Sequence, residues 1–214
     1  MHYATNGTVI KIKSNTRILV VGRSGSGKTT FTTNYLWNSF SPKIRKIFID
    51  PKHEAGYIHY DIINTNCKEL ESDLNKYNNI LYMPSDVTIQ DFDKLCSLCY
   101  NKGNIVLFID ESAFYCTSSS MPKNYRKLMI MGRSRGIGVV NTTQRPHGVN
   151  QLLISEAEHL FIFNLNLKRD KDKLKAMIPF EKHPLIDNLS LYHFLYCNLR
   201  DNQYIYFKPL KIKR

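Results

Sequence analysis

The eight residues Gly22-Arg23-Ser24-Gly25-Ser26-Gly27-Lys28-Thr29 narrow the folds open to this chain more than any other segment. They fit the pattern G-x-x-x-x-G-K-[ST] in full. They follow the apolar run Ile18 to Val21 and precede a helical pattern from about Lys28 to Phe40. Strand, glycine loop, helix is the setting in which such a loop cradles phosphate. With glycine at about 7% of residues, a chance match in a chain this long is on the order of one in a hundred. Gly25 and Gly27 let the backbone curl so that several N–H groups point inward. The helix start adds the positive end of its dipole. Lys28 then reaches the β- and γ-phosphates, and the Thr29 hydroxyl is an oxygen ligand for Mg²⁺. The nucleotide-binding stretch is expected to run from Gly22 through Arg23, Ser24, Gly25, Ser26, Gly27, Lys28 and Thr29 to Thr30.

The rest of the chain reads as strands alternating with helical segments. Thr8 to Lys13 alternates like a short strand, and Lys46–Ile49, Ile80–Met83, Ile105–Ile109, Ile137–Thr142 and Leu160–Phe163 are apolar strands. Lys68–Tyr77 and Thr88–Lys102 carry helical spacing, and Pro122 can open a further helix running to Gly132 or beyond. Tyr192–Cys197 and Gln203–Phe207 look like a terminal strand pair joined by a polar turn. Strands that are apolar throughout and alternate with helices imply an α/β fold, a mainly parallel sheet flanked by helices on both faces. The core is expected over about 17–178, with the strand pair over about 190–208, as one domain.

The strand Ile105-Val-Leu-Phe-Ile109 ends in Asp110-Glu111. Carboxylates at the C-terminal edge of such a sheet lie where α/β ligands sit. Asp110 suits a metal role through the ion's water shell, and Glu111 suits polarising the attacking water. Gln144 follows Val139-Val-Asn-Thr-Thr. Its amide can donate to a γ-phosphate oxygen and accept from water, or it can simply cap the strand end. Arg133, in Gly132-Arg-Ser-Arg-Gly136, has three readings: an arginine finger acting on a neighbouring copy, a solvated basic loop, or a DNA contact.

The formal net charge of +12 favours a polyanionic partner. No run of about 20 apolar residues is present to span a bilayer. The N-terminus lacks the layout of a secretory signal, so an intracellular setting is expected. Five cysteines, an odd number, argue against a disulfide framework. Cys96-x-x-Cys99 falls on the buried face of the 88–102 helix, with no second pair at zinc-ribbon spacing, so these thiols read as core residues.

The order Gly22–Thr29, Ile47-Phe-Ile-Asp50-Pro51-Lys52, Phe108-Ile-Asp110-Glu111, Gly132-Arg-Ser-Arg-Gly136-Ile-Gly138 and Asn141-Thr-Thr-Gln144-Arg145-Pro146 resembles the HerA/FtsK superfamily of DNA-pumping ATPases. The likeness runs from about residue 17 to 178. Within that superfamily, so short a chain looks like the genome-packaging ATPases of tailless icosahedral DNA viruses. The resemblance implies a RecA/ASCE-like P-loop NTPase using ATP and Mg²⁺. It also implies a ring, usually a hexamer, around double-stranded DNA. Capsid or portal-vertex proteins follow as further partners, and the host cytoplasm or the virion as its place. It matches Arg133 to the finger position and Gln144 to the sensor. Lys123, Arg126, Lys127, Lys208, Lys211, Lys213 and Arg214 are candidates for tracking phosphates in a pore.

Other readings compete: a HerA-like cellular or mobile-element translocase, a protein-assembly or secretion ATPase of the same superfamily, a small-molecule kinase or GTP switch, and a DNA-coating protein. A GTPase would want Asn-Lys-x-Asp, and Asn75-Lys-Tyr-Asn78 and Asn101-Lys-Gly-Asn104 both miss the acid.

Overall fold

The computed structural model describes residues 4–5, 8–55 and 58–210; of the basic tail, Lys211, Lys213 and Arg214 lie outside the described residues. A short antiparallel pair, β1 (Ala4–Thr5) with β2 (Thr8–Val9), precedes the body of the fold. The main sheet has nine strands: β3 (Arg17–Val21), β4 (Arg45–Ile49), β5 (Ile62–Asn64), β6 (Asn79–Tyr82), β7 (Ile105–Ile109), β8 (Gly138–Thr143), β9 (His159–Phe163), β10 (Phe194–Asn198) and β11 (Gln203–Phe207). Their order is β11-β10-β9-β3-β8-β7-β4-β6-β5. Pairing is parallel from β9 to β5, and the terminal pair β10–β11 adds antiparallel strands at the β9 edge.

The helices are α1 (Lys28–Phe31), α2 (Cys67–Lys76), α3 (Ile89–Lys102), α4 (Lys123–Met131), α5 (Gln151–Ser155), α6 (Lys168–Lys175) and α7 (His183–Asp187). Strand period 2 sorts β7 onto both faces. Ile105, Leu107 and Ile109 pack with α2, α3 and α4, while Val106 and Phe108 pack with Trp37 and Phe40 beyond α1. Each such fully buried side chain contributes about 1.5–3 kcal/mol. A third cluster packs α6 and α7 over β3, β9 and β10. Helices therefore cover both faces, as the apolar strands require.

The helix expected to run to Phe40 continues to Ser39, but it is α-helical over Lys28–Phe31, widens into a π-helix over Thr32–Trp37 and returns to α at Asn38 and Ser39. Thr32 and Thr33 hydroxyls donate to the carbonyls of Lys28 and Thr29, both at 2.9 Å. Such back-bonding competes with the α-ladder. Within the segment read as an alternating strand, only Thr8–Val9 pairs. Ile10 and Ile12 are buried and Lys11 and Lys13 exposed, so the alternation is real, but among the described residues no neighbouring strand takes up that backbone. Tyr192, expected to open a strand, lies in the turn before β10. Cys96 and Cys99 are fully buried in the α3 face, and burial pushes both thiols upward.

Candidate active site

Four adjacent strands at the centre of the sheet, in the order β3-β8-β7-β4, deliver their C-terminal ends to one place. β3 leads into the glycine loop, β8 into Gln144, β7 into Asp110 and Glu111, and β4 into Asp50, Pro51 and Lys52. Parallel pairing on every side makes this convergence automatic, since all four chains leave the sheet on the same edge.

The loop is held from both flanks. The Gly22 N–H donates to the Thr143 carbonyl (3.3 Å) and the Arg23 N–H to the Asn164 carbonyl (2.8 Å). Gly22 admits no side chain: a Cβ there would lie 2.6 Å from Phe163 Cβ and 2.6 Å from Ser26 Oγ. Gly27 sits at φ 98°, a backbone that L residues seldom adopt, and its carbonyl starts α1 by accepting the Phe31 N–H (2.9 Å). The buried Lys28 ammonium donates to the Arg23 carbonyl (3.1 Å). Burial lowers its pKa to about 8, opposed by the carboxylates of Glu111 and Asp110 and assisted by Lys52.

The two acids are held by one oxygen each. Asp110 Oδ1 accepts from the Thr142 hydroxyl (2.8 Å). Glu111 Oε1 accepts from the Thr143 hydroxyl (3.0 Å) and the Gln144 N–H (3.2 Å). Their other oxygens, Asp110 Oδ2 and Glu111 Oε2, are buried without a hydrogen-bond partner among the described residues. Lys52 Nζ approaches both, at 3.6 Å and 3.8 Å, and its charge offsets their mutual repulsion. Glu111 holds φ 50°, a left-handed backbone for a non-glycine residue, anchored by its N–H on Thr142 Oγ1 (2.9 Å). A constrained backbone with an orphaned carboxylate oxygen is a pattern found at reactive centres.

Ser24, Gly25, Gly27, Lys28, Thr29 and Thr30 line a cavity of about 300 Å³, and Lys52, Glu54, Asp110, Gln144 and Tyr192 complete its wall, with Glu111 buried outside it. Gly22 and Ser26 stand behind the loop rather than in the cavity wall, and Ser26 Oγ is a further buried, unpartnered atom. Arg23 lines the neighbouring cavity with Gln144, Arg145 and Asp170. The donor set fits a triphosphate with a divalent cation: backbone and ammonium donors on one side, two unsatisfied carboxylate oxygens and the Thr29 hydroxyl on the other.

Arg133 is not in this cavity. It lies in a 3₁₀ turn, Gly132–Arg135, ahead of β8, at the opposite edge of the sheet. Its guanidinium bonds Glu158 at 2.7 Å and lines a cavity with Lys11, Lys13 and Arg200. Six strand residues separate it from Gln144, roughly 20 Å at about 3.3 Å per residue.

Sequence reasoning gave no role to Lys52, Thr142, Thr143 or Tyr192. Lys52 was visible only within a family pattern. The two threonines carried a usable signal: successive hydroxyls at the end of a strand with no exposed face need partners, and the adjacent strand ends in acids.

No family model matches the chain. It is 26% identical over 202 residues, 91% of its length, to DNA packaging ATPase P9 of Enterobacteria phage PRD1, of which 87% is covered. Among solved structures, the genome packaging NTPase B204 of Sulfolobus turreted icosahedral virus 2, in complex with ATP-gammaS, superposes with a TM-score of 0.82 at 18% identity, over 94% of this chain and 100% of that one. The pCW3 conjugation coupling protein TcpA, in its monomer form with ATPgS, gives a TM-score of 0.61 at 15% identity, over 91% of this chain and 61% of that one. The chain is therefore a homologue of the phage packaging ATPase P9 and has the P-loop NTPase fold that B204 and TcpA share.

Proposed function

We propose that this chain hydrolyses ATP and uses the energy to drive double-stranded DNA of a viral genome into a capsid. The observation that carries the reading is the orphaned Asp110 Oδ2 in the wall of the cavity that holds Lys28, with the orphaned Glu111 Oε2 approached by the same Lys52 ammonium. Lys28 leaves the Arg23 carbonyl to hold the β- and γ-phosphates. Thr29 and Asp110 hold Mg²⁺, which when bound neutralises charge on the phosphate oxygens. Glu111, steadied through Oε1, presents Oε2 to orient the attacking water and accept its proton. Gln144 is bonded to Glu111 through its own N–H, so movement of the carboxylate is passed to the chain beyond β8.

Arg133 stands too far from this cavity to serve it within one chain. In a homo-oligomeric ring, with a hexamer as our reading, it reaches the triphosphate of the next copy. The exposed Lys123, Arg126, Lys127 and Lys208 suit contact with a phosphate backbone. The relatives' names, packaging ATPase and packaging NTPase, support the same activity here.

The test is ATP turnover with and without duplex DNA. DNA is expected to raise the rate. Lys28→Ala should abolish binding. Glu111→Gln should keep binding and lose about 10²–10⁴ in turnover, the usual contribution of a positioned base. A rate indifferent to DNA in an assembled ring would remove the motor and leave only the phosphatase chemistry.

A further inference from the structure

A second cavity, of about 370 Å³, opens beside the phosphate cavity. The two share Gly27, Thr30 and Tyr192 in their walls. The second one is apolar. Phe31, Phe163 and Phe194 line it, the last two rings tilted against each other with centroids 5.0 Å apart. Pro209 and Leu210, just past β11, also line it. Thr30 and Tyr192 are the lining residues whose side chains can hydrogen-bond.

Tyr192 is placed there at a conformational cost. The His193 N–H donates to the Ser190 carbonyl (3.2 Å), closing a four-residue turn. Within that turn φ is positive at Tyr192 (63°) and not at Leu191. That is the type II pattern, whose third position favours glycine or asparagine. A bulky aromatic at positive φ is a real outlier. It persists only where the surroundings hold it, and it points to a use for the side chain. Here the Tyr192 ring lies against the glycine loop, 3.3 Å from where a Cβ on Gly27 would stand. The ring is about half exposed, so burial of its own surface does not explain the placement.

We infer that this apolar cavity receives the nucleobase, with the Tyr192 ring on one side and Pro209–Leu210 on the other. The inference rests on the triphosphate reading of the adjoining loop and adds the other half of the ligand. An apolar slot with few polar groups recognises a flat ring by shape and stacking. Purines therefore bind better than pyrimidines. Adenine and guanine are separated only weakly, because among the described residues no side-chain amide or carboxylate lines the slot to read the base edge.

The experiment measures Mg²⁺-dependent binding of ATP, GTP, CTP and inorganic tripolyphosphate to the full chain by calorimetry. Wild type should bind ATP and GTP alike, CTP less well, and tripolyphosphate least. Tyr192→Ala should weaken ATP about tenfold, in the range lost when an aromatic platform is removed from a base, and tripolyphosphate clearly less than ATP. Leu210→Asp should show the same split, and Tyr192→Phe should behave as wild type. Lys28→Ala should abolish binding of ATP and tripolyphosphate alike. Retained tripolyphosphate binding also certifies that each variant is folded, and for Leu210, which lines the apolar cavity and not the phosphate cavity, it should be unchanged. Tyr192→Ala that leaves ATP untouched, or that weakens tripolyphosphate as much as ATP, overturns the base site while the phosphate site stands. Wild type that binds neither ligand overturns both.

Discussion

Lys28 combines burial with a task that needs its charge. Its ammonium titrates at about 8 because burial outweighs the two nearby carboxylates. In the unfolded chain it would titrate near 10.4. The folded value is the lower one, so stability from this group rises with pH between about 8 and 10.4 and is lost as pH falls through 8. Binding works the other way, since a phosphate needs the protonated lysine. ATP affinity should therefore decline above pH 8. Binding at pH 9 should take up a proton, and binding at pH 7 should not. Calorimetry in buffers of different ionisation enthalpy checks both, and Lys28→Arg should abolish the uptake. Tyr192 is a second residue whose local preference loses to its position. Tyr192→Gly relaxes the positive φ and should raise stability by about 1 kcal/mol in urea titration, while weakening nucleotide binding. Glu111 at φ 50° is the third such residue. Sequence reading named Lys28 and Glu111 because their motifs are chemical. It placed Tyr192 at the head of a strand, because an aromatic next to an apolar run looks like strand and the turn's backbone leaves no compositional trace.

At the scale of elements, legibility followed burial. β7 was read to the residue, since five apolar residues with no exposed face leave little choice. β5 was missed: it is three residues at the sheet edge, with Ile63 largely exposed. α6 was missed because it offers Leu174 as its one apolar residue among seven charged ones, too little for a periodicity. Arg17 was read only as the residue ahead of an apolar run, and the structure gives it an architectural role. It is buried at the start of β3 and donates to the carbonyls of Leu128 (2.6 Å), Met129 (2.9 Å) and Ile137 (2.8 Å). It thereby satisfies the C-terminal carbonyls of α4 and ties down the turn that carries Arg133. Burial, with Arg133 second, lowers its pKa to about 10. Arg17→Met leaves those carbonyls unsatisfied and should cost about 3 kcal/mol in denaturant unfolding. Arg17→Lys should fall between, since one ammonium cannot span three carbonyls.

On the scale of the whole molecule, the dominant fact is that the phosphate loop and Arg133 occupy opposite edges of one parallel sheet. The finger role of Arg133 was one of three readings of its basic loop, favoured by the resemblance; its distance from Lys28 follows from strand length and could not be read from the motif. Arg133→Ala should leave ATP binding by the chain intact while turnover in the assembled ring drops by about 10³ or more. Mixing Arg133→Ala with Lys28→Ala should restore part of the activity, because some junctions then pair an intact loop with an intact arginine. A mixture as inactive as either parent would place the arginine outside the reaction.

β8 joins these two edges, with the Arg133 turn just ahead of it and Gln144 just after it. It is hydrogen-bonded in parallel to β3 on one flank and β7 on the other, so it can tilt or slide with the sheet but cannot lengthen. In the proposed ring such a strand behaves as a stiff rod shared by two reactions, and spending a phosphate at one tip shifts the charge presented at the other. Neighbours would then fire in sequence without a separate timekeeper, each event setting the conditions for the next around the circle.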